Sequence, residues 1–397
     1  SPEELLDRLE SEKQVIQRSG ETISGSEAQR VADRVQQWLA ATPPEWAARP
    51  DLWSAAADVY GDLGPGFFDK AREHYLRAIA AADEDGRVPL RAIEQLGNVE
   101  TRLGEDSDDA DMVAQGIARL ESLVRLTGGV VPSDVGPSAN AALPGSAERS
   151  ALLGSAYKRK AAVHAHAYLG KSGKLADFRA MRQALARSSA AYEAMASKLE
   201  DKIIRPYPTL NWLFLWSLTA RAQDRKAYLA HVQRCAAAAN AAFADDPEAY
   251  NSTMVPDAAL LTALLNDSLI DAAQDSRATL DALVAAYEDA LETSLVTPKE
   301  RDTVVKQIRK MALFHRAYEK HNKVPPAQSV GARIEMLANR LTLLMPSDDN
   351  APPPDETSME VAGRVSEPAK KKAAGAKAGR KAAPGKKVPS RSARIKR

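Results

Sequence analysis

The stretch from residue 150 to residue 157, Ser-Ala-Leu-Leu-Gly-Ser-Ala-Tyr, constrains the fold more than any other part of the sequence. It lies in a run with helical periodicity that continues through Lys160. Leu153, Gly154 and Tyr157 share one side of this helix, because residues three and four apart are neighbours on a helix surface. Gly154 leaves room for a neighbouring helix to approach, and the two larger side chains fill the seam. The spacing therefore predicts helices that pack in close pairs.

Comparable patterns recur on both sides of this stretch. Trp53 and Tyr60 are seven residues apart, which is two helical turns, and Leu96-Gly97 provides a second small position. Glu100 follows Leu96-Gly97 at the position where Tyr157 follows Leu153-Gly154, so it stands where an aromatic residue is expected. The other predicted contact positions are Ala71, Tyr75, Ala78, Ser188, Tyr192, Met195, Trp212, Leu215, Trp216 and Thr219.

These motifs resemble tetratricopeptide repeats (TPRs) over roughly residues 50 to 250. The resemblance implies an all-α protein, a TPR-like α-solenoid of antiparallel helix pairs. The block from 147 to 159, followed by Tyr207-Pro208-x-x-Asn211-Trp212, is also similar to divergent repeat regions attached to bacterial multidomain proteins, including those with caspase-like CHAT peptidase domains. That resemblance implies a region that senses or docks a partner while a neighbouring domain cuts.

Composition supports the all-α fold, because aromatic residues are 5% of the chain and β-branched runs of strand length are missing. The sequence predicts a helical pair over 1–45, TPR-like pairs over 46–250 and divergent capping helices over 251–346. Helices within this cap are expected at 256–266, 268–294, 298–321 and 328–345. Residues 347–397 form a Lys/Ala/Pro-rich tail that cannot bury a core and is predicted to be disordered.

The charge of the chain is divided unequally along its length. Residues 364–397 carry a net charge of +12, whereas the rest of the chain carries −11. A segment of this kind resembles the tails of histone-H1-like proteins and binds nucleic acid without sequence preference by releasing counterions. A solvated tail that only aids solubility is the alternative. The basic residues in question are Lys370, Lys371, Lys372, Lys377, Arg380, Lys381, Lys386 and Lys387.

No motif for catalysis, cofactor binding or metal binding is predicted. Cys235 lies in an apolar helical run, where a thiol is expected to be structural and not reactive. His164 and His166 are two residues apart and point to different sides of a helix, which does not suit a metal site. We therefore expect no enzyme in this chain and no CHAT-type Cys/His dyad. A pocket with converging buried carboxylates or histidines would favour the competing hypothesis of an enzyme built in a helical bundle.

A partner-binding groove is predicted from the first helix of each pair, since these helices line one face of a helix-pair solenoid. The middle of this face is basic within an acidic body, so we expect it to accept an acidic peptide or a loop of a partner protein. Merely solvated helix faces are the alternative. The predicted groove residues are Asn98, Arg102, Ser155, Lys158, Arg159 and Arg221.

A cytoplasmic location is expected, because a single cysteine cannot form an internal disulfide and the first residues do not resemble a signal peptide. The absence of an initiator Met suggests a processed or excised chain. The most apolar stretch, 210–218, is about half the ~20 residues that a membrane span needs, so no membrane contact is predicted.

Overall fold

A computed structural model describes residues 1–18, 25–81, 89–127, 131, 146–170, 173–245, 249–270, 275–293 and 298–343. Residues 128–145, apart from residue 131, and the whole basic tail lie outside the described residues. All described residues belong to one compact unit.

All regular structure in these ranges is helical, which confirms the predicted all-α stack of helix pairs. Short 3₁₀ turns separate several of the helices. The α-helices are α1 (Pro2–Arg18), α2 (Gly25–Ala40), α3 (Pro50–Asp62), α4 (Phe68–Ala80), α5 (Leu90–Asp106), α6 (Ala110–Leu126), α7 (Ser146–Leu169), α8 (Leu175–Glu193), α9 (Pro206–Ser217), α10 (Ala222–Arg225), α11 (Leu229–Asp245), α12 (Ala249–Leu265), α13 (Asp275–Thr293), α14 (Pro298–Asn322) and α15 (Val330–Leu343).

Two predicted helix boundaries in the C-terminal region are wrong. α12 begins at Ala249 and continues through Pro256, where the sequence predicted a start. α13 begins at Asp275, seven residues later than predicted, because the chain turns after α12 with Asp267 at a positive φ of 56°.

Consecutive helices pack side by side, α3 with α4, α5 with α6, α7 with α8 and α14 with α15. The predicted small positions lie at these contacts. A Cβ added at Gly97 would stand 2.9 Å from the carbonyl oxygen of Gly116, and one at Gly154 would stand 2.9 Å from the ring of Tyr192. Ser188 donates a hydrogen bond of 2.7 Å to the carbonyl oxygen of Gly154. The close approach predicted from Leu153, Gly154 and Tyr157 is therefore present between α7 and α8.

α14 returns from the end of the chain to pack along α7. Lys320 on α14 donates 2.8 Å to the carbonyl oxygen of Tyr168 at the end of α7, and His321 stacks on Phe178 of α8 with 3.9 Å between the ring centroids. The apolar residues that α14 buries include Val305, Ile308, Phe314 and Ala317. α14 is thus part of the core and covers a face of α7.

Candidate functional site

The predicted groove residues on α5 and α7 are buried, and three of them, Asn98, Arg102 and Arg159, form a connected polar cluster. Arg102 donates to Oδ1 of Asn98 at 3.2 Å, and Arg159 donates to the same oxygen at 3.3 Å and to Oγ1 of Thr101 at 3.2 Å. The Arg159 side chain is 1% exposed. We refer to Asn98, Thr101, Arg102, Arg159 and Glu105 as the α5–α7 cluster.

Glu105 is the acidic member of this cluster, and the sequence did not single it out. Its Oε2 lies 3.5 Å from Nε of Arg159, and its Oε1 lies 2.7 Å from Nζ of Lys310 on α14. One carboxylate therefore pairs with cations from two other helices, α7 and α14. Asn98, Arg102 and Glu105 follow one another at helical spacing, which was the available signal for Glu105. Nothing in the local sequence marks Lys310.

Lys158 belongs to a different polar neighbourhood, although it adjoins Arg159 in sequence. Its Nζ donates to Oδ1 of Asn211 on α9 at 2.8 Å and lies 5.2 Å from the ring centroid of Tyr192. Burial raises the pKa of Asp257 on α12 to about 6, although the hydrogen bond from Tyr287 and the positive charge of Lys158 each lower it. Tyr287 on α13 donates to Asp257 at 2.5 Å.

The remaining two predicted groove residues are placed differently. Ser155 is buried on α7. The Arg221 side chain is 75% exposed beyond the end of α9 and pairs with Asp224 at 2.8 Å. The structure thus brings Asn98, Arg102 and Arg159 together, and it leaves Arg221 at the surface.

Glu100, which replaces the expected aromatic residue, lies fully buried between neighbouring helices. Its Oε1 lies 3.3 Å from Nε of Arg72 on α4, and its Oε2 lies 2.7 Å from Nε of Arg119 on α6. A buried carboxylate is tolerated when it is paired and hydrogen-bonded. Glu100 therefore links the α3–α4 pair to the α5–α6 pair through ion pairs.

A pocket opens between α9, α12 and α14, with a space of about 540 Å³ that includes its open mouth. Asp257 supplies the only carboxylate among the residues that line it. In the described ranges, no three His, Cys, Asp or Glu side chains are grouped so that they could hold a metal ion. Burial raises the pKa of Cys235 on α11 to about 12, the opposite of what a nucleophilic thiolate requires.

Within the part of the chain that the structure describes, every helix is too short or too polar to cross a bilayer.

The model of one protein family, Tetratricopeptide Repeats-Sensor, matches residues 67–216. The matched range runs from the beginning of α4 to α9, and it contains the Gly97 and Gly154 contacts and the α5–α7 cluster. This finding supports the predicted repeat type for that region. No curated protein and no solved structure gives a significant match to the chain.

Proposed function

We propose that this chain is a noncatalytic module that docks a partner protein through the face shared by α5 and α7. The proposal is carried by one observation: two of the predicted groove cations, Arg102 and Arg159, meet at Asn98 between two adjacent helices of a repeat-type region. Stacked helix pairs present extended surfaces of this kind to their partners. The family description adds that repeats of this sort belong to sensors.

An acidic segment is the partner chemistry that this face suits. Arginine presents a planar fork of donors that matches a carboxylate. In the structure, Glu105 supplies the carboxylate that Arg159 and Lys310 contact. A Glu or Asp side chain of a partner would take the place of Glu105 as the acceptor for Arg159.

The partner must compete with α14, because Lys310 of α14 pairs with the Glu105 carboxylate that also contacts Arg159. The apolar side chains that α14 buries make its departure costly. The closed form, in which α14 packs on α7, therefore predominates over the open form, in which α14 has left, when no partner is bound. An acidic segment would then bind with an affinity reduced by the small population of the open form. Changes that weaken the closure by α14 should accordingly increase the affinity.

The test is the binding of a fluorescently labelled Glu-rich peptide to the full chain, followed by anisotropy. Lys320→Ala removes an α14 anchor on the Tyr168 carbonyl and should tighten binding several-fold, whereas Arg159→Gln should weaken it. Arg221→Gln is the matched control, because that exposed side chain pairs with Asp224, outside the α5–α7 cluster. Equal affinities for the wild-type chain, Lys320→Ala and Arg159→Gln would refute the proposal, provided that circular dichroism shows all of them folded.

We further propose that this module is the regulatory or partner-docking region of a larger bacterial multidomain protein of the CHAT-peptidase type, and that it acts in the cytoplasm. The resemblance of residues 147–159 and 207–212 supports this context. A reading frame that encodes no further domain beside this chain would contradict it.

Nucleic-acid binding by the tail is the second candidate function, favoured by the +12 charge of residues 364–397. A DNA mobility-shift assay at two salt concentrations, with and without these residues, tests it. Binding should fall steeply with salt and disappear with the tail. Salt-insensitive binding, or binding that survives removal of the tail, would exclude it.

A further inference from the structure

Three aromatic side chains that the α5–α7 cluster does not use lie together on α9 and on the short 3₁₀ turn Lys226–Tyr228. The ring centroid of Tyr228 lies 5.7 Å from that of Trp212, with 83° between the ring planes, and 4.6 Å from that of Trp216, with 55° between the planes. The three rings pack against the hydrophobic core but are only partly buried, so part of each remains open to solvent. We refer to Trp212, Trp216 and Tyr228 as the aromatic face.

The polar groups of the aromatic face are available to an acceptor from outside the helices. The indole N–H groups of Trp212 and Trp216 and the hydroxyl of Tyr228 donate to no residue that the structure describes, and none of the three is enclosed in the core. Trp53 differs, because its indole N–H donates to the carbonyl oxygen of Ala47 at 2.9 Å. Aromatic side chains with a solvated polar end are typical of binding surfaces, where the ring and the donor are used together.

A segment in the polyproline II conformation matches this arrangement of rings and donors. Such a segment has no internal hydrogen bonds, so its carbonyl oxygens can accept from indole and hydroxyl groups. Proline-rich segments dock in aromatic-lined grooves, and they lose little conformational entropy on docking because their conformation is already formed.

The charge around the aromatic face favours acidic residues beside the prolines. Residues 206–234 contain four Arg or Lys and one acid, Asp224. Lys226 lies in the same turn as Tyr228, is exposed, and forms no ion pair with a described residue. An acidic partner segment would supply the counter-charge that Lys226 lacks.

We propose that the aromatic face docks residues 347–356 of the same chain, Ser-Asp-Asp-Asn-Ala-Pro-Pro-Pro-Asp-Glu. Three consecutive prolines favour the polyproline II conformation, and the prolines of this segment stack on the rings. The segment carries four acids and no Lys or Arg, so its charge complements the basic surroundings of the face.

The segment can reach the aromatic face from the end of α15. The described residues end at Leu343, and the nine residues from Leu344 to Pro352 span up to about 30 Å when extended. α14 connects the two places, because Arg309 on α14 donates to Thr342 on α15 at 3.0 Å. His315 is about 9 Å further along α14, and its ring centroid lies 6.1 Å from that of Phe214 on α9. The path along α14 and across α9, which is about 10 Å wide, is comparable with the reach of the linker.

Fluorine NMR of the full chain labelled with 5-fluorotryptophan tests the proposal, with single Trp→Phe variants to assign the five resonances. The triple variant Pro352→Ala, Pro353→Ala and Pro354→Ala should shift the resonances of Trp212 and Trp216 and leave the other three tryptophans unchanged. The matched control is the double variant Pro384→Ala and Pro389→Ala, which alters prolines outside the segment and should shift none of the five. Circular dichroism checks that each variant is folded.

A fluorescently labelled peptide of residues 346–357 then reports on competition for the aromatic face, by anisotropy. It should bind the triple variant at least about fivefold more tightly than the wild-type chain, because the wild-type chain's own segment competes at a high effective concentration. Lys226→Gln, added to the triple variant, should weaken peptide binding several-fold.

Unchanged Trp212 and Trp216 resonances in the triple variant, or equal peptide affinities for the triple variant and the wild-type chain, would overturn the proposal. Wild-type resonances of these two tryptophans that move with protein concentration would show a second copy's segment on the face and would also overturn docking within one chain. Because neither measurement involves the α5–α7 cluster, the outcome is independent of the partner-docking proposal.

Discussion

Replacing Gly116 with Ala tests whether close contact between backbones determines how the helix pairs stack. A Cβ at this position would stand 2.5 Å from the carbonyl oxygen of Gly97 and 2.7 Å from Cγ2 of Thr101. Ordinary contact begins at 3.4 Å, so α5 and α6 would have to separate locally by about 0.9 Å. Overpacking of this kind costs about 1–3 kcal/mol, and the backbone atoms involved place the expected cost at about 2–3 kcal/mol.

Gly61→Ala is the matched control, because a Cβ there meets nothing within 4 Å. Both positions are helical, so each variant gains up to about 1 kcal/mol from the higher helix propensity of Ala. The difference between the two variants in the free energy of unfolding, measured by urea denaturation and circular dichroism, therefore reports the overpacking alone. Equal stabilities for Gly116→Ala and Gly61→Ala would refute the argument that these backbones are in contact.

Three further predictions concern buried polar groups. Glu100→Ala should destabilise the fold by about 2–4 kcal/mol, since it leaves Arg72 and Arg119 without their buried partner. The control Glu73→Ala breaks an exposed pair with Arg77 and should cost less than about 1 kcal/mol. Equal losses of unfolding free energy in urea denaturation would contradict the role of burial. Burial lowers the pKa of His74 to about 4, so the unfolded chain binds this proton first. The contribution of His74 to the free energy of unfolding should therefore fall by about 2–3 kcal/mol between pH 6.5 and pH 4.5. His74→Phe should remove this share of the pH dependence in urea titrations at the two pH values, and an unchanged pH dependence would contradict the assignment. Cys235, whose thiol is buried with a raised pKa, should react with a thiol reagent only in denaturant, and rapid reaction of the native chain would show that it is exposed.

The helix pairs could be predicted from the sequence because their contacts are local and periodic. Gly154 and Tyr157 lie on one side of a single helix, and the partner ring of Tyr192 is on the next helix along the chain. The predicted start at Pro256 failed because proline was taken as a boundary. In the structure Pro256 is buried inside α12, where packing outweighs the lost hydrogen bond.

The candidate site was predicted less completely, for two physical reasons. Arg221 was predicted to lie on the first helix of its pair, but that helix, α9, ends at Ser217, four residues earlier. The pairing of Glu105 with Lys310 joins residues about 200 positions apart, and a single sequence contains no local signal for such a contact. For the same reason the sequence did not indicate that α14 covers α7.

Hydrogen exchange of the full chain, with and without the Glu-rich peptide, tests the central claim most directly. If the peptide binds the cations of α5 and α7 in place of α14, the amides of α14 should exchange faster and those of α5 and α7 should be more protected. Unchanged or slower exchange in α14 with the peptide bound would contradict docking at this face.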